Sequence, residues 1–259
     1  MGRIEQNTDM ANVADTAVVT GSSSGIGLAL SRMLVKNGYE VFGFGRNFER
    51  AEAQEFCKEQ PEKFHAVVCD ITDTQALCAH IKEIDKNYRV TVLVNNAGVG
   101  YYGLHEELNP KKIQKMVRTN LEAPMILTQQ LLRTLKKNRG TVLNISSVTA
   151  AQSNPHGCAY GATKAGLSGF AKSLFDEVRK YGVRVITIQP DMAKTDLYRN
   201  ADFTVGEETE SYLLPQDVAD AVAYIVEQRE GVVVSEVTLR PQYHRIRRKP
   251  VTKKERPVE

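Results

Sequence analysis

The chain has no tryptophan and only four cysteines in 259 residues, and Cys57, Cys69, Cys78 and Cys158 show no C-x-x-C spacing. That pattern argues against a disulfide or zinc framework and predicts reduced thiols on core or helix faces. No run of 18 apolar residues occurs, and residues 1–15 carry neither the basic start nor the apolar stretch of a secretory leader. The expectation is a cytoplasmic protein with no membrane partner. There is also little net charge, +3, and it is unevenly spread: residues 240–259 hold eight Lys and Arg against Glu255 and Glu259, a local +6 that leaves −3 for the rest. A nucleic-acid-binding body would spread basic surface over the fold, so none is expected here.

What is present is ordinary globular composition, 42% hydrophobic and 25% charged, enough for one large core without repeats or internal boundaries. A β-branched run at 16–20 passes through Gly21-Ser-Ser-Ser-Gly25-Ile-Gly27 into a helical pattern with apolar residues at Ile26, Ala29, Leu30, Met33 and Leu34. Asn37-Gly38 stops that helix, and 41–45 reads as the next strand. A glycine turn between strand and helix delivers backbone N–H groups and a helix N-terminus to a phosphate, so this opening reads as a dinucleotide site. Alternation continues with strands at 64–69 and 90–94, helices at 74–85 and 110–137, a strand-like run ending at Ser147, a strand at 183–188, a helix at 215–228 and a seventh strand at 231–239. Regular β-α alternation predicts one α/β domain, a doubly wound parallel sheet of about seven strands with helices on both faces.

The chemistry centres on Tyr160-Gly-Ala-Thr-Lys164, at the start of a helix running to about 181. Four residues advance a helix by little more than one turn, so the phenol and the ammonium share a face. A free phenol, with a pKa of about 10, is a poor proton donor or acceptor near neutrality, and a nearby cation is expected to lower that value. Ser147, thirteen residues earlier, leaves the end of a parallel strand and points into the crevice where such sheets bind ligands.

These residues resemble the short-chain dehydrogenase/reductase family over 15–239. The matching motifs are Thr20-Gly-Ser-Ser-Ser-Gly-Ile-Gly27, Asp70, Asn95-Asn-Ala-Gly98, Asn120, Ser147, Tyr160-x-x-x-Lys164, and Pro190 with Thr195. The resemblance implies a Rossmann fold and interconversion of a ketone and a secondary alcohol by hydride transfer, with Tyr160 as general acid/base and Ser147, Lys164 and Asn120 completing the catalytic set. Lys164 would also bond the nicotinamide ribose, and Asn120 would anchor a water linking Lys164 to solvent. Ser146, twelve rather than thirteen residues from the tyrosine, is expected to be structural. Cofactor contacts carried over by the resemblance are Gly21, Ser23, Ser24, Gly25, Ile26 and Gly27 at the turn; Asp70 and Ile71 at the adenine; Asn96, Ala97 and Gly98 beside the ribose; and Pro190, backbone near Ile188 and Met192, and Thr195 at the carboxamide and pyrophosphate. No metal is implied. One departure stands out: Asp191 follows Pro190 where the family usually has glycine.

An NAD site usually ends its second strand with a carboxylate that repels a 2′-phosphate, but here Gly45 is followed by Arg46, whose fork suits a phosphate. NADP(H) is therefore the expected cofactor, with Ser22, Ser23 and Asn47 as secondary phosphate contacts. Segments 99–105, 148–156 and a lid at 191–214 are expected to face substrate, offering Tyr101, Tyr102, Leu104, Leu197, Tyr198, Phe203 and Tyr212 beside Gln152, His156 and Arg199. A 3-oxoacyl thioester, a hydroxysteroid or bile acid, and a small hydroxy-ketone all fit that description. Lys136, Lys137, Arg139 and Lys180 offer a docking patch for an acyl carrier protein, or only compensation of helix dipoles. Small residues along the Tyr160 helix, with the family's habit, imply a homodimer or homotetramer. Residues 1–14 form an N-terminal extension, and the basic tail at 240–259 is expected to be partly disordered. The competing reading is a non-catalytic NADP(H)-binding sensor on the same fold.

Overall fold

The structure, a computed structural model, describes residues 14–250. The N-terminal extension, apart from Ala14, and residues 251–259 lie outside the described residues. In chain order the elements are β1 (Thr16–Thr20), α1 (Gly25–Lys36), β2 (Glu40–Gly45), α2 (Ala51–Glu59), β3 (Phe64–Val68), α3 (Thr74–Asn87) and β4 (Val90–Asn95). Then come α4 (Pro110–Val117), α5 (Ala123–Asn138), β5 (Thr141–Ile145), α6 (Cys158–Val178), β6 (Arg184–Pro190), β7 (Phe203–Val205), α7 (Pro215–Val226), β8 (Glu236–Leu239) and β9 (Ile246–Arg248).

Seven strands form one sheet in the order β3-β2-β1-β4-β5-β6-β8, every neighbouring pair parallel. Helices cover both faces, which is why β1, β4 and β5 are buried end to end and read as continuous apolar runs. On one face Leu30 and Leu34 of α1 meet Val218 and Val222 of α7. On the other, Leu77 and Ile81 of α3, Leu127 and Leu131 of α5 and Leu174 and Val178 of α6 close the second layer. Each such buried side chain contributes about 1.5–3 kcal/mol. Helix starts follow the sequence: Asp73 accepts the Ala76 N–H at 3.0 Å, and Asn109 accepts the Lys111 N–H at 2.8 Å ahead of Pro110. Because β1 pairs with β2 on one side and β4 on the other, strand order reverses at β1, and the crevice opens at the strands' C-terminal ends.

Four features differ from the sequence expectation. Helix α2 was not anticipated, because its polar sequence buries only Ala53 and Phe56 and so carries little periodic signal. The helix expected over 110–137 is interrupted by a wide π turn at Arg118–Glu122, where the Ala123 N–H reaches the Arg118 carbonyl. The last strand of the sheet is shorter than 231–239. Over 240–250 the expected disorder is corrected: β9 pairs antiparallel with β7, Phe203 opposite Arg248 and Val205 opposite Ile246. An isolated basic stretch has nothing to bury, but this one finds an unpaired strand edge at Phe203–Val205.

The turn before α1 requires close backbone approach. Gly21 has φ 68°, and a Cβ at Gly27 would overlap the Gly21 carbonyl and come within 2.5 Å of the Asn96 amide. Gly27→Ala gains about 1 kcal/mol of helix propensity, but the obstruction is largely backbone and cannot rotate away. The expected outcome is a net loss of at least about 1 kcal/mol, read as a lower urea midpoint at unchanged m-value.

Candidate active site

A cleft of about 1000 Å³ runs along the C-terminal edge of the sheet. At the β1–α1 turn its wall is Gly21, Ser23, Ser24, Gly25 and Ile26. Beside them stand Arg46 after β2, Asp70 and Ile71 after β3, and Asn96, Ala97 and Gly98 after β4. Ser147, Tyr160 and Lys164 form the middle, with Pro190, Met192 and Thr195 opposite. Of the catalytic and principal cofactor residues expected at the site, Gly27 and Asn120 do not line the cleft, and each has a packing role instead.

The cofactor end is built to receive anionic groups. At the start of α1, Ser24 makes no side-chain cap and the first turn holds no acidic residue, so nothing competes for the amides there. Thr20 fixes the facing loop, its hydroxyl accepting the N–H groups of Asn96 and Ala97 at 3.0 Å each, while the Asn96 amide returns to the Thr20 carbonyl at 2.9 Å. Arg46 is exposed and makes no ion pair among the described residues, and Gly45 puts no carboxylate beside it. Burial works to raise the Asp70 carboxyl, but the Thr72 N–H and hydroxyl, at 3.0 and 2.8 Å, together with the Lys115 and Arg46 charges hold it below its ordinary value. An ionised acceptor thus stands one strand from an unpaired guanidinium. This donor set fits a dinucleotide carrying an additional phosphate. Two secondary phosphate contacts find no support: the Ser22 hydroxyl is buried against the Phe44 carbonyl, and Asn47 is off the wall.

In the middle of the cleft, Tyr160 and Lys164 are both 3% exposed. The Lys164 ammonium donates to the Ile145 carbonyl at 2.7 Å and lies 5.8 Å from the Tyr160 ring centre. Burial lowers the lysine to about 8. Burial also pushes the Tyr160 phenol up, with the Ser147 hydroxyl acting the other way. The sequence argument had the ammonium pulling the phenol down; among protein groups alone, desolvation of the phenolate is the larger effect and leaves the phenol above its ordinary value. The Ser147 oxygen accepts from the Thr149 N–H at 3.2 Å and is 3.0 Å from the Thr149 hydroxyl, which leaves its own hydrogen able to face the cleft. Ser146 turns the other way, bonding the Lys164 carbonyl at 3.0 Å and the Ser168 hydroxyl at 2.8 Å.

Asn120 is fully buried in the π turn. Its side chain accepts the Val99 N–H at 2.8 Å and donates to the Val99 carbonyl at 2.9 Å and the Thr163 hydroxyl at 3.1 Å. Its carboxamide is therefore occupied by the loop after β4 and by α6.

The far end of the cleft is aromatic. Tyr102 stands 5.7 Å from Tyr160 and 5.2 Å from Phe203, ring to ring, with Tyr198 behind them. Burial raises both the Tyr102 and Tyr198 phenols. Leu197, Gln152, His156 and Arg199 line this end as expected from the sequence, whereas Tyr101, Leu104 and Tyr212 do not. Sequence reasoning missed Arg240, His244, Ile246 and Arg248, all on the cleft wall. Their signal was the alternation of residues 244–248, hidden by the basic composition of a segment taken for a tail. Asp191, the departure from the family pattern, is nearly buried; its carboxylate accepts the Met192 N–H at 2.9 Å and lies 3.9 Å from His244 Nδ1.

Known proteins share this architecture. The sequence pattern described as short chain dehydrogenase matches residues 15–204. A serine 3-dehydrogenase from Agrobacterium fabrum is 32% identical over 88% of this chain and 94% of its own length. A 3-oxoacyl-(acyl-carrier-protein) reductase from Rickettsia conorii is 32% identical over 85% and 92%. Among solved structures, an alcohol dehydrogenase from Thermococcus sibiricus complexed with 5-hydroxy-NADP superposes with a TM-score of 0.81 at 28% identity, covering 90% of this chain and 98% of that one. A metagenomic short-chain oxidoreductase in complex with NADP gives 0.75 at 30% identity, covering 88% and 98%. With the parallel sheet, the glycine turn and the Tyr160–Lys164 face already in view, these matches establish that the chain belongs to the short-chain dehydrogenase/reductase family and is an oxidoreductase by descent.

Proposed function

We propose that this protein is an NADPH-dependent reductase, or in reverse a dehydrogenase, interconverting a ketone and a secondary alcohol with Tyr160 as general acid/base. The observation that carries this reading is the convergence of Ser147, Tyr160 and Lys164 on the middle of one cleft, between an anion-receiving end and an aromatic end. NADPH, when bound, supplies the hydride. The chain's own groups supply the rest. A buried phenol held protonated is a donor for the oxygen that gains charge during reduction, and the Ser147 hydroxyl is a second donor for that oxygen. Lys164 spends one N–H on Ile145 and keeps two for the cleft. Asn120 is a positioning residue here, holding Val99 and Thr163, and Thr163 in turn donates to the Tyr160 carbonyl at 2.7 Å. The crystallised relatives with NADP or 5-hydroxy-NADP support the cofactor, as does Arg46.

A carrier protein as partner is not supported. Arg139 and Lys180 follow the C-terminal ends of α5 and α6, at the N-terminal edge of β5 and β6, and Lys136 already pairs with Glu177 at 3.8 Å and Arg139 with Glu230 at 3.7 Å. That edge is roughly 15 Å of strand from the cleft. Among the described residues no helix is long and apolar enough to cross a membrane, and the reading retains a cytoplasmic enzyme acting as a homo-oligomer through α5 and α6.

Three outcomes are expected. Tyr160→Phe lowers turnover on a ketone panel by roughly 10²–10⁴-fold with NADPH binding by fluorescence intact; undiminished turnover would refute the acid/base role, and a wild type that binds NADPH but turns over nothing would favour the sensor. Arg46→Asp lowers the NADPH:NADH ratio of kcat/KM roughly 10- to 100-fold, as loss of one charge-assisted contact of about 1.5–3 kcal/mol requires. The third concerns stability. Lys164 titrates at about 8 when folded against 10.5 as its ordinary value, so between these pH values the unfolded chain binds more protons and stability rises with pH. Wild type should therefore gain on Lys164→Met by about 3 kcal/mol across that window, measured by urea denaturation of both proteins; a flat difference contradicts the buried cation.

A further inference from the structure

The basic C-terminal segment is split by strand geometry into two faces. Side chains alternate along a strand, and here Arg245 and Arg247 turn to the lid, pairing with Glu208 and, at 2.9 Å, with Glu207. His244, Ile246 and Arg248 turn the other way and line the cleft. Arg245 and Arg247 fasten the segment to the lid, while Arg248, exposed, lies along the cleft.

Arg240, just beyond β8, and Arg199 of the lid join Arg248 on that wall. Among the described residues none of the three makes an ion pair, although Arg199 donates to the Asp196 carbonyl at 3.0 Å. The acids nearby are largely committed: Asp196 pairs with Arg50, and Asp191 takes the Met192 N–H and faces His244, which leaves Asp202. Arg240 stands apart from the cofactor end. Arg46 follows β2 and Arg240 follows β8, five strand spacings or roughly 24 Å across the sheet. Arg248 stands on the substrate side, since it is the register partner of Phe203, whose ring abuts Tyr102, which abuts Tyr160.

We propose, resting on the ketone–alcohol reading above, that Arg240 and Arg248, assisted by Arg199, hold an anionic group of the substrate, so that the preferred alcohol or ketone is a carboxylate or a phosphate ester rather than a neutral molecule. A guanidinium fork matches either anion through paired N–H donors, and although Arg199, Arg240 and Arg248 are exposed, their forks make no ion pair among the described residues and remain able to take it. Arg247, one residue away on the opposite face, serves as the internal control.

The test uses the full chain and NADP⁺, comparing kcat/KM for 3-hydroxybutyrate with its methyl ester, and for glycerol 3-phosphate with glycerol. Wild type should prefer the charged member of at least one pair by tenfold or more, and the pair showing it identifies carboxylate or phosphate as the anion. The Arg240→Ala/Arg248→Ala double variant should lower that ratio at least tenfold, through KM rather than kcat. Replacing both by lysine should restore part of it, and Arg247→Ala should leave it within twofold. A wild-type ratio near one in both pairs, or a ratio unmoved by the double variant, overturns the proposal alone. Failure to turn over any of these or a panel of neutral ketones takes the oxidoreductase reading down with it.

Discussion

A lysine ammonium held against the last carbonyl of β5 is the contact on which the site depends. Burying an isolated cation costs several kcal/mol, and Lys164, 3% exposed, responds with a pKa lowered to about 8 and a 2.7 Å bond to Ile145. That bond sets how α6 stands on the sheet. Ser146 completes it by bonding the Lys164 carbonyl and Ser168. Adjacent residues of an extended backbone point to opposite sides, so once Ser146 is turned into the helix, Ser147 must face the cleft. The thirteen-residue spacing from Ser147 to Tyr160 is therefore a consequence of how helix and strand end are fastened together.

A second fastening ties this helix to the cofactor wall. The π turn carries one residue more than an α turn and presents Asn120 inward, where its carboxamide engages both backbone polar groups of Val99 as a neighbouring strand would. The same side chain reaches Thr163, whose hydroxyl donates to the Tyr160 carbonyl. The loop after β4, which presents Asn96 to Gly98, and the turn bearing the phenol are thus joined by three consecutive hydrogen-bonded steps. Removing the amide would leave the Val99 N–H and carbonyl buried without partners, so position 120 has little freedom even before catalysis is considered.

Much of this was legible in the sequence, for definite reasons. Buried parallel strands such as Thr16–Thr20 and Val90–Asn95 are apolar on both faces and read directly. The helix bearing Tyr160 also read well, because Tyr160 and Lys164 lie one turn apart. Helix α2 escaped because two buried residues give no period, and the π turn escaped because nothing in Arg118–Glu122 marks the extra residue. The pH behaviour of the pair was misjudged for a different reason: spacing reports proximity, while the balance of desolvation against attraction depends on burial. The C-terminal strand was hidden by composition, since its partner Phe203–Val205 lies about forty positions earlier and each strand has only three residues.

That short two-stranded closure behaves differently from the sheet beneath it. Its ion pairs, Arg245 with Glu208 and Arg247 with Glu207, are solvent-exposed and each contributes about 0–1 kcal/mol. What holds it is the small ladder, the Lys249 N–H to Asp202 at 2.7 Å, the Lys249 ammonium to the Tyr198 carbonyl at 2.5 Å, and a modest cluster of Met192, Tyr198, Ala201 and Val205. Such an element opens locally at far less cost than the global unfolding free energy. The wall that carries Ser147, Tyr160 and Lys164, by contrast, is anchored on strands buried on both faces. Local opening of this closure would leave the strands and helix that carry Ser147, Tyr160 and Lys164 packed as they are. Asp191 touches both parts: its carboxylate accepts the N–H of Met192, just past the end of β6, and lies 3.9 Å from His244 of the segment that closes over it, so the loosely held closure and the firmly held sheet meet at this one side chain.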